Sequence, residues 1–276
     1  MNLIVQGAML AAEDLRQLAQ LAGAQRIERL GPAACRLIDA RQEPDVAAYC
    51  ARAALDFGYV PAGRRLADMR LLAIDMDSTL ITIECIDEVA DLAGVKAEVS
   101  AITAAAMSGE LDYAQSLRRR VALLRGLDQG ALARVFDERL RLSPGAQTML
   151  DAMRGAGVKT LLVSGGFSYF TERLKAGLGL DYSTSNVFEF EQGRLSGRLI
   201  GSIVDAEGKA AKLRALRDEL GIERSAIIAI GDGANDLAMM AEAGVSIAYR
   251  AKQVVRSKAD YALDHTGLDG VLKLFA

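Results

Sequence analysis

Leu71-Leu72-Ala73-Ile74-Asp75-Met76-Asp77-Ser78-Thr79 sets four apolar residues directly before two aspartates one residue apart. A short, uninterrupted apolar run bounded by polar residues reads as a strand buried on both faces, the kind found in parallel sheets. Lone carboxylates are strongly disfavoured in a core, so Asp75 and Asp77 call for a cation or a reaction. In an extended segment the two would share a face, unless the chain curls as it leaves the sheet. For the pentapeptide Asp75 to Thr79 alone, a strand end capped through Asp and Ser explains the pattern equally well.

Three further runs have the same character: Thr160-Leu161-Leu162-Val163, Ala226-Ile227-Ile228-Ala229-Ile230 and Val245-Ser246-Ile247-Ala248, separated by helical patterns. That spacing predicts an α/β fold with a doubly wound parallel sheet. Two of these runs, like the first, end in polar clusters: Ser164-Gly165-Gly166 and Gly231-Asp232-Gly233-Ala234-Asn235-Asp236. Ligands of open α/β sheets bind at the carboxyl ends of the strands, so the three clusters point at one site.

The stretch from about 86 to 142 carries helical periodicity and almost no turn signal. It is too long for a simple crossover and reads as a helical cap inserted over the crevice. Phe188 to Gly197 alternates around a glycine turn and predicts a hairpin. Residues 1–65 read as a separate small α+β domain of order β-α-β-β-α, with Gly58 to Arg65 as the linker into a second domain over 66–276.

The chain has 276 residues, 51% hydrophobic and 25% charged, which fits one to two folded domains. Its net charge of -3 removes the basic footprint of a nucleic-acid binder. No run approaches the roughly 18 apolar residues of a membrane span, and the start MNLIVQGAMLAAEDL lacks a basic leader pattern, so a cytoplasmic protein with neither nucleic-acid nor membrane partner is expected. A single histidine, His265, excludes a His-rich zinc site, whereas hard metals held by oxygen remain open. Cys35, Cys50 and Cys85 form no CxxC pair and suit a reducing compartment.

Glycines after a strand let backbone N–H groups approach an anion, which gives Ser164-Gly165-Gly166 a reading beyond an ordinary turn. The cluster Gly231 to Asp236 packs two carboxylates and an amide at a helix start, where oxygen ligation of Mg²⁺ is natural and helix capping is the plain alternative. Lys209 alone reads as a solvated lysine. Taken in order, Asp75-Met76-Asp77-Ser78-Thr79, Ser164-Gly165-Gly166, Lys209 and Gly231-Asp232-Gly233-Ala234-Asn235-Asp236 resemble the four motifs of the haloacid dehalogenase superfamily. Ile83-Glu84-Cys85-Ile86-Asp87-Glu88, Gln115 to Val121 and Val163 to Phe167 resemble, more closely, its phosphoserine phosphatase family. The resemblance runs from about Arg70 to Ala276; the first 65 or so residues lie outside it and are only loosely similar to an ACT-like regulatory module.

The resemblance implies Mg²⁺-dependent hydrolysis of O-phospho-L-serine, the last step of serine biosynthesis, through an aspartyl phosphate on Asp75, with Asp77 as acid and then base. It also implies that Asp75, the Asp77 main-chain carbonyl and Asp232 hold the metal, and that Ser164, Gly165 and Lys209 hold the phosphoryl oxygens. By the same resemblance, Asn235 and Asp236 orient metal-bound water or neighbouring groups, Glu84 faces the substrate amino group and Arg120 its carboxylate, a group an arginine fork suits. Thr79 belongs to the first motif, and Met107 and Phe167 wall the pocket or pack the cap. Arg118 and Arg119 read as a solvated helix face. The alternatives are a phosphatase or phosphotransferase acting on phosphohomoserine or another small phosphomonoester and, from another class, an amino-acid sensor, which would need degenerate catalytic motifs. Serine binding, assembly of a homodimer and simple packing all stay open as roles of the N-terminal domain. Cys35 to Arg41 fits the bare CxxxxxR spacing of a cysteine phosphatase loop, but it has no glycine and carries Asp39 where a phosphate would sit. His265, without a partner motif, reads as structural or surface.

Overall fold

Residues 1–275 are described by a computed structural model. The chain begins with β1 (Asn2–Gln6), α1 (Ala12–Leu21), β2 (Arg26–Gly31), β3 (Ala34–Ile38), α2 (Pro44–Ala53) and β4 (Asp56–Val60). Leu15 and Leu18 of α1 and Val46 and Cys50 of α2, each set at helical spacing, bury against Leu3, Val5, Cys35 and Leu37 of the sheet. The strands run antiparallel in the order β2-β3-β1-β4, the split β-α-β arrangement. Proline pre-set for a helix start opens α2, and Ala54 closes it at φ 52.

Here the expected β-α-β-β-α order gains a strand, because Gly58, Tyr59 and Val60, expected in the linker, complete β4. Gly58 served as a turn signal in the sequence, yet it sits within the strand because the Tyr261 ring lies against it. A Cβ there would come within 2.6 Å of Tyr261 Cδ1.

Two compact units divide the chain: Met1–Leu72 with Ser143–Lys159 and everything from Ile222 onward, and Ala73–Leu142 with Thr160–Gly221. The N-terminal module therefore groups with later segments of the chain. Within that first unit Asp56, 3% exposed, accepts hydrogen bonds from the amides of Asp264, His265 and Thr266 and from the Thr266 hydroxyl at 2.7–3.2 Å. Arg64 donates to the Tyr261 hydroxyl at 2.7 Å, and that hydroxyl donates to the Tyr59 carbonyl at 3.1 Å. Cys35, Cys50 and Cys85 are all buried free thiols.

After β5 (Leu71–Ile74) the second unit carries the insertion: α3 (Cys85–Ala93), α4 (Lys96–Met107), α5 (Tyr113–Leu123) and α6 (Gln129–Arg134). Asp112 and Asp128 cap α5 and α6, accepting from the amides of Gln115 and Ala131. The insertion closes at its neck, where Ile81 bridges Leu142 and the Thr82 amide donates to Arg141 at 3.0 Å. Arg139 ties that exit back to α3 through Glu88 at 2.6 Å and Asp91 at 2.7 Å. Next comes α7 (Ala146–Gly155), part of the first unit. The second unit resumes with β6 (Lys159–Phe167), α8 (Ser168–Leu178), β7 (Tyr182–Glu191), β8 (Arg194–Ile200) and α9 (Ala206–Leu220). The expected hairpin is β7–β8. Its two turn residues, Gln192 and Gly193, have φ of 50° and 77°, the doubly positive pair that matches strand twist.

The first unit ends with β9 (Ile227–Gly231), α10 (Leu237–Met240), β10 (Val245–Tyr249), α11 (Gln253–Arg256), β11 (Tyr261–Leu263) and a 3₁₀ turn at Leu268–Phe275. Seven strands follow the order β11-β10-β9-β5-β6-β7-β8. The pairs β11–β10, β10–β9 and β6–β7 are parallel, and only β7–β8 among the described pairs of this sheet is antiparallel. This is the α/β class expected, with a mostly parallel sheet beside a small antiparallel one. No described helix is long and apolar enough to cross a membrane.

Candidate active site

At the end of β5 the chain does curl. Leu80 and Ile81 donate back to the carbonyls of Asp75 and Met76, and Ser78 takes φ 55, ψ 2, a left-handed conformation costly for a residue with a Cβ. The turn separates the fates of the two aspartates. Asp75 is 4% exposed, and its Oδ1 is ion-paired with the ammonium of Lys209, itself 1% exposed. Asp77 is half-buried, and its Oδ1 accepts the Cys85 amide at 2.9 Å. Burial, with Asp77 next in effect, drives the Cys85 thiol well above its ordinary range, so it stays a neutral packing group. The strained Ser78 donates its hydroxyl to Glu84 Oε1 at 2.7 Å, at the threshold of α3.

The second polar cluster ends β6. Ser164 is fully buried and its Oγ accepts the Gly166 amide at 2.8 Å. Neither following residue has room for a side chain: a Cβ on Gly165 would collide with the Tyr113 hydroxyl, and one on Gly166 would stand 2.7 Å from Asp77 Oδ2. The Gly165 carbonyl accepts from the Tyr113 hydroxyl at 3.0 Å and from Asn186 Nδ2 at 2.7 Å. Lys209 lies in the first turns of α9, which opens at Asp205 with its carboxylate on the Gly208 amide. The expectation of a solvated lysine from Lys209 in isolation gives way to full burial against a carboxylate.

Tyr113 gauges how these pieces gather. Burial pushes its phenol up to about 12, Lys209 and Arg120 pull the other way, and Asp75 and Asp77 add to the rise. Four charged side chains, from the turn after β5, from α5 and from α9, thus act on one hydroxyl. Arg120 sits half-buried on α5, and its Nε is buried without a hydrogen-bond acceptor among the described residues. An orphaned guanidinium N–H is costly unless a ligand supplies the acceptor.

The remaining predicted residues are distributed as follows. Thr79 and Phe167 are fully buried, with Phe167 stacked on Phe188 at 3.7 Å between ring centroids. Met107 is 71% exposed at the end of α4. In the first unit, Asp236 is fully buried and its Oδ2 accepts the amides of Asp232 at 3.2 Å and Gly233 at 3.0 Å. It therefore shapes the loop that presents Asp232 and Asn235, both half-buried. Cys35, in the rejected CxxxxxR stretch, is buried in β3, and His265 is exposed. Three residues at the site escaped the sequence reading: Ser78 in its hydrogen-bonding role, Tyr113 and Asn186. Only Tyr113 had a signal, since it opens the helix that carries Arg120.

A model of the haloacid dehalogenase-like hydrolases matches residues 72–241, and a model of a domain of unknown function matches residues 3–47. A phosphoserine phosphatase from Polaromonas sp. is 53% identical over 215 residues, covering 76% of this chain and 91% of that protein. The crystal structure of a probable phosphoserine phosphatase from Vibrio cholerae, in unliganded form, superposes with a TM-score of 0.88 at 37% identity over 99% of this chain and 86% of its own. A structure of a phospho-aspartyl intermediate analogue of phosphoserine phosphatase aligns with a TM-score of 0.70 at 36% identity, covering 75% of this chain and 99% of its own.

Proposed function

This chain belongs to the haloacid dehalogenase-like hydrolases, and from that premise we propose that it hydrolyses O-phosphoserine to serine and phosphate with Asp75 as nucleophile. It is a phosphoric monoester hydrolase. The observation that carries the residue-level reading is the buried ion pair of Asp75 with Lys209 at the carboxyl end of β5. A carboxylate buried beside an ammonium is poised to attack an electrophile whose own negative charge the ammonium can accept.

Asp75 attacks phosphorus, the bond from phosphorus to the seryl oxygen breaks, and Asp77 gives that oxygen its proton. The Cys85 amide on Asp77 Oδ1 orients the carboxyl group for this transfer. Water then attacks phosphorus of the aspartyl phosphate, Asp77 takes the proton, and phosphate leaves with Asp75 restored. Ser164, Gly165 and Lys209 hold the phosphoryl oxygens through both steps. At the other end of the substrate, Glu84 meets the ammonium and Arg120 the carboxylate, a role supported by the buried Arg120 Nε.

Asp75, the Asp77 main-chain carbonyl and Asp232 are the residues that would hold Mg²⁺. Each of these donors is an oxygen, the ligand atom that hard divalent cations take. When bound, the ion supplies positive charge against the phosphoryl oxygens. A cytoplasmic setting is supported by three free buried thiols.

Phosphate release from a panel of small phosphomonoesters, with and without Mg²⁺, tests the reading. Phosphoserine is expected to be turned over fastest, and only with the metal. A faster phosphohomoserine reaction, or equal rates on esters lacking an amino acid, would displace it.

A further inference from the structure

Asn186 is 2% exposed, and both ends of its amide are engaged. Nδ2 donates to the Gly165 carbonyl at 2.7 Å, and Oδ1 accepts the Val204 amide at 2.8 Å. Val204 directly precedes Asp205, the cap of the helix that carries Lys209. The side chain is therefore a crosspiece between the loop holding Ser164 and the root of α9.

The Gly165 carbonyl belongs to the same peptide plane as the Gly166 N–H, because the peptide bond is planar. Asn186 and the Tyr113 hydroxyl fix one edge of that plane, and Ser164 Oγ receives its other edge at 2.8 Å. Tilting the plane would turn the Gly166 N–H and, with it, the Ser164 hydroxyl. Tyr113 comes from α5, the helix bearing Arg120, and its raised phenol keeps the proton it must donate.

We propose that Asn186 and Tyr113 are positioning residues for phosphoryl recognition: through the Gly165–Gly166 peptide they set the Ser164 hydroxyl, and Asn186 keeps that hydroxyl in register with Lys209. This rests on the reading that Ser164 and Lys209 hold the phosphoryl group. It adds that the loop is tuned by two side chains remote in sequence, one on the insertion and one on β7.

The test compares Asn186→Asp and Tyr113→Phe with the parent, using phosphoserine and p-nitrophenyl phosphate as substrates and inorganic phosphate as competitive inhibitor, with thermal unfolding followed in parallel. Aspartate keeps the acceptor for Val204 but, when ionised, sets negative charge against the Gly165 carbonyl. Phenylalanine removes a single hydroxyl. Inhibition by phosphate is expected to weaken, and kcat/KM to fall for both esters alike, by about tenfold in Asn186→Asp and roughly two- to tenfold in Tyr113→Phe. A purely structural role would lower the unfolding temperature and leave phosphate inhibition in the folded protein untouched, which overturns the proposal. Loss confined to phosphoserine overturns it too. If Asn186→Asp does not fold, Tyr113→Phe, which keeps the packed ring, decides by the same criterion. Parent enzyme that cleaves p-nitrophenyl phosphate but not phosphoserine would sink the substrate reading while leaving this test fully usable.

Discussion

Two aspartates of this chain are equally buried at strand ends, Asp56 at 3% exposure where β4 begins and Asp75 at 4% where β5 stops, yet they are satisfied in opposite ways. Asp56 takes three main-chain amides and a hydroxyl, all neutral donors. Asp75 takes the ammonium of Lys209. A ring of amides fixes a carboxylate in place and uses up its lone pairs, which makes a joint between segments. An ammonium neutralises charge while leaving the carboxylate chemically competent, and the same ammonium can pair with the charge of a substrate. Burial alone does not mark a reactive carboxylate; the kind of donor facing it does.

The sharpest way to break this contrast is Asp75→Asn. Turnover of phosphoserine should fall by about 10⁴-fold or more, with no burst of phosphoenzyme, because an amide oxygen is a poor nucleophile. Thermal unfolding should move little, since the amide keeps an oxygen toward Lys209. Retained turnover in the folded variant would abolish the distinction drawn here.

Asp56→Ala should show the reverse profile. Stripping the amides of 264–266 of their acceptor is expected to cost about 3 kcal/mol or more in urea unfolding, while kcat of the folded fraction stays at the parent value. The result bears on removal of residues 1–65, which deletes the same acceptor along with the apolar face of β4. Such a truncation is expected to be less stable, even though no predicted catalytic residue lies within it.

Arg120→Ala sharpens the comparison inside the site. It should lower kcat/KM for phosphoserine by roughly ten- to a hundredfold relative to p-nitrophenyl phosphate, which has no carboxylate to receive the guanidinium. Equal loss on both esters would mean that Arg120 packs the insertion. The mildest change is Ser78→Ala, which frees Glu84 from one hydrogen bond. KM for phosphoserine should rise by about two- to tenfold, with the p-nitrophenyl ester unaffected.

What could be read from the chain itself follows a physical line. Asp75, Ser164 and Asp232 each stand at the end of an apolar run, so local order alone announces them. Asp56, Tyr113 and Asn186 act over 208–210, 52 and 21 residues of sequence, and nothing near them hints at the partner. The strand β4 was hidden by Gly58, whose meaning depends on a tyrosine ring contributed from Tyr261. Lys209 was recognisable only through family resemblance, because a lysine in an amphipathic helix has a solvent-facing meaning by default. Met107 shows a complementary limit: an apolar residue at a helix end has no local feature that says whether it is covered, and here it is 71% exposed.

The joint at Asp56 also has a calendar. Ribosomes add about 5 to 20 residues per second, so the amides of Asp264 to Thr266 emerge roughly 10 to 40 s after the carboxylate they will clasp. Through that interval the nascent N-terminal module exists without its fastening, with Asp56 hydrated and the underside of β4 bare. That surface stays unfinished until the final segment of the first unit arrives to close it.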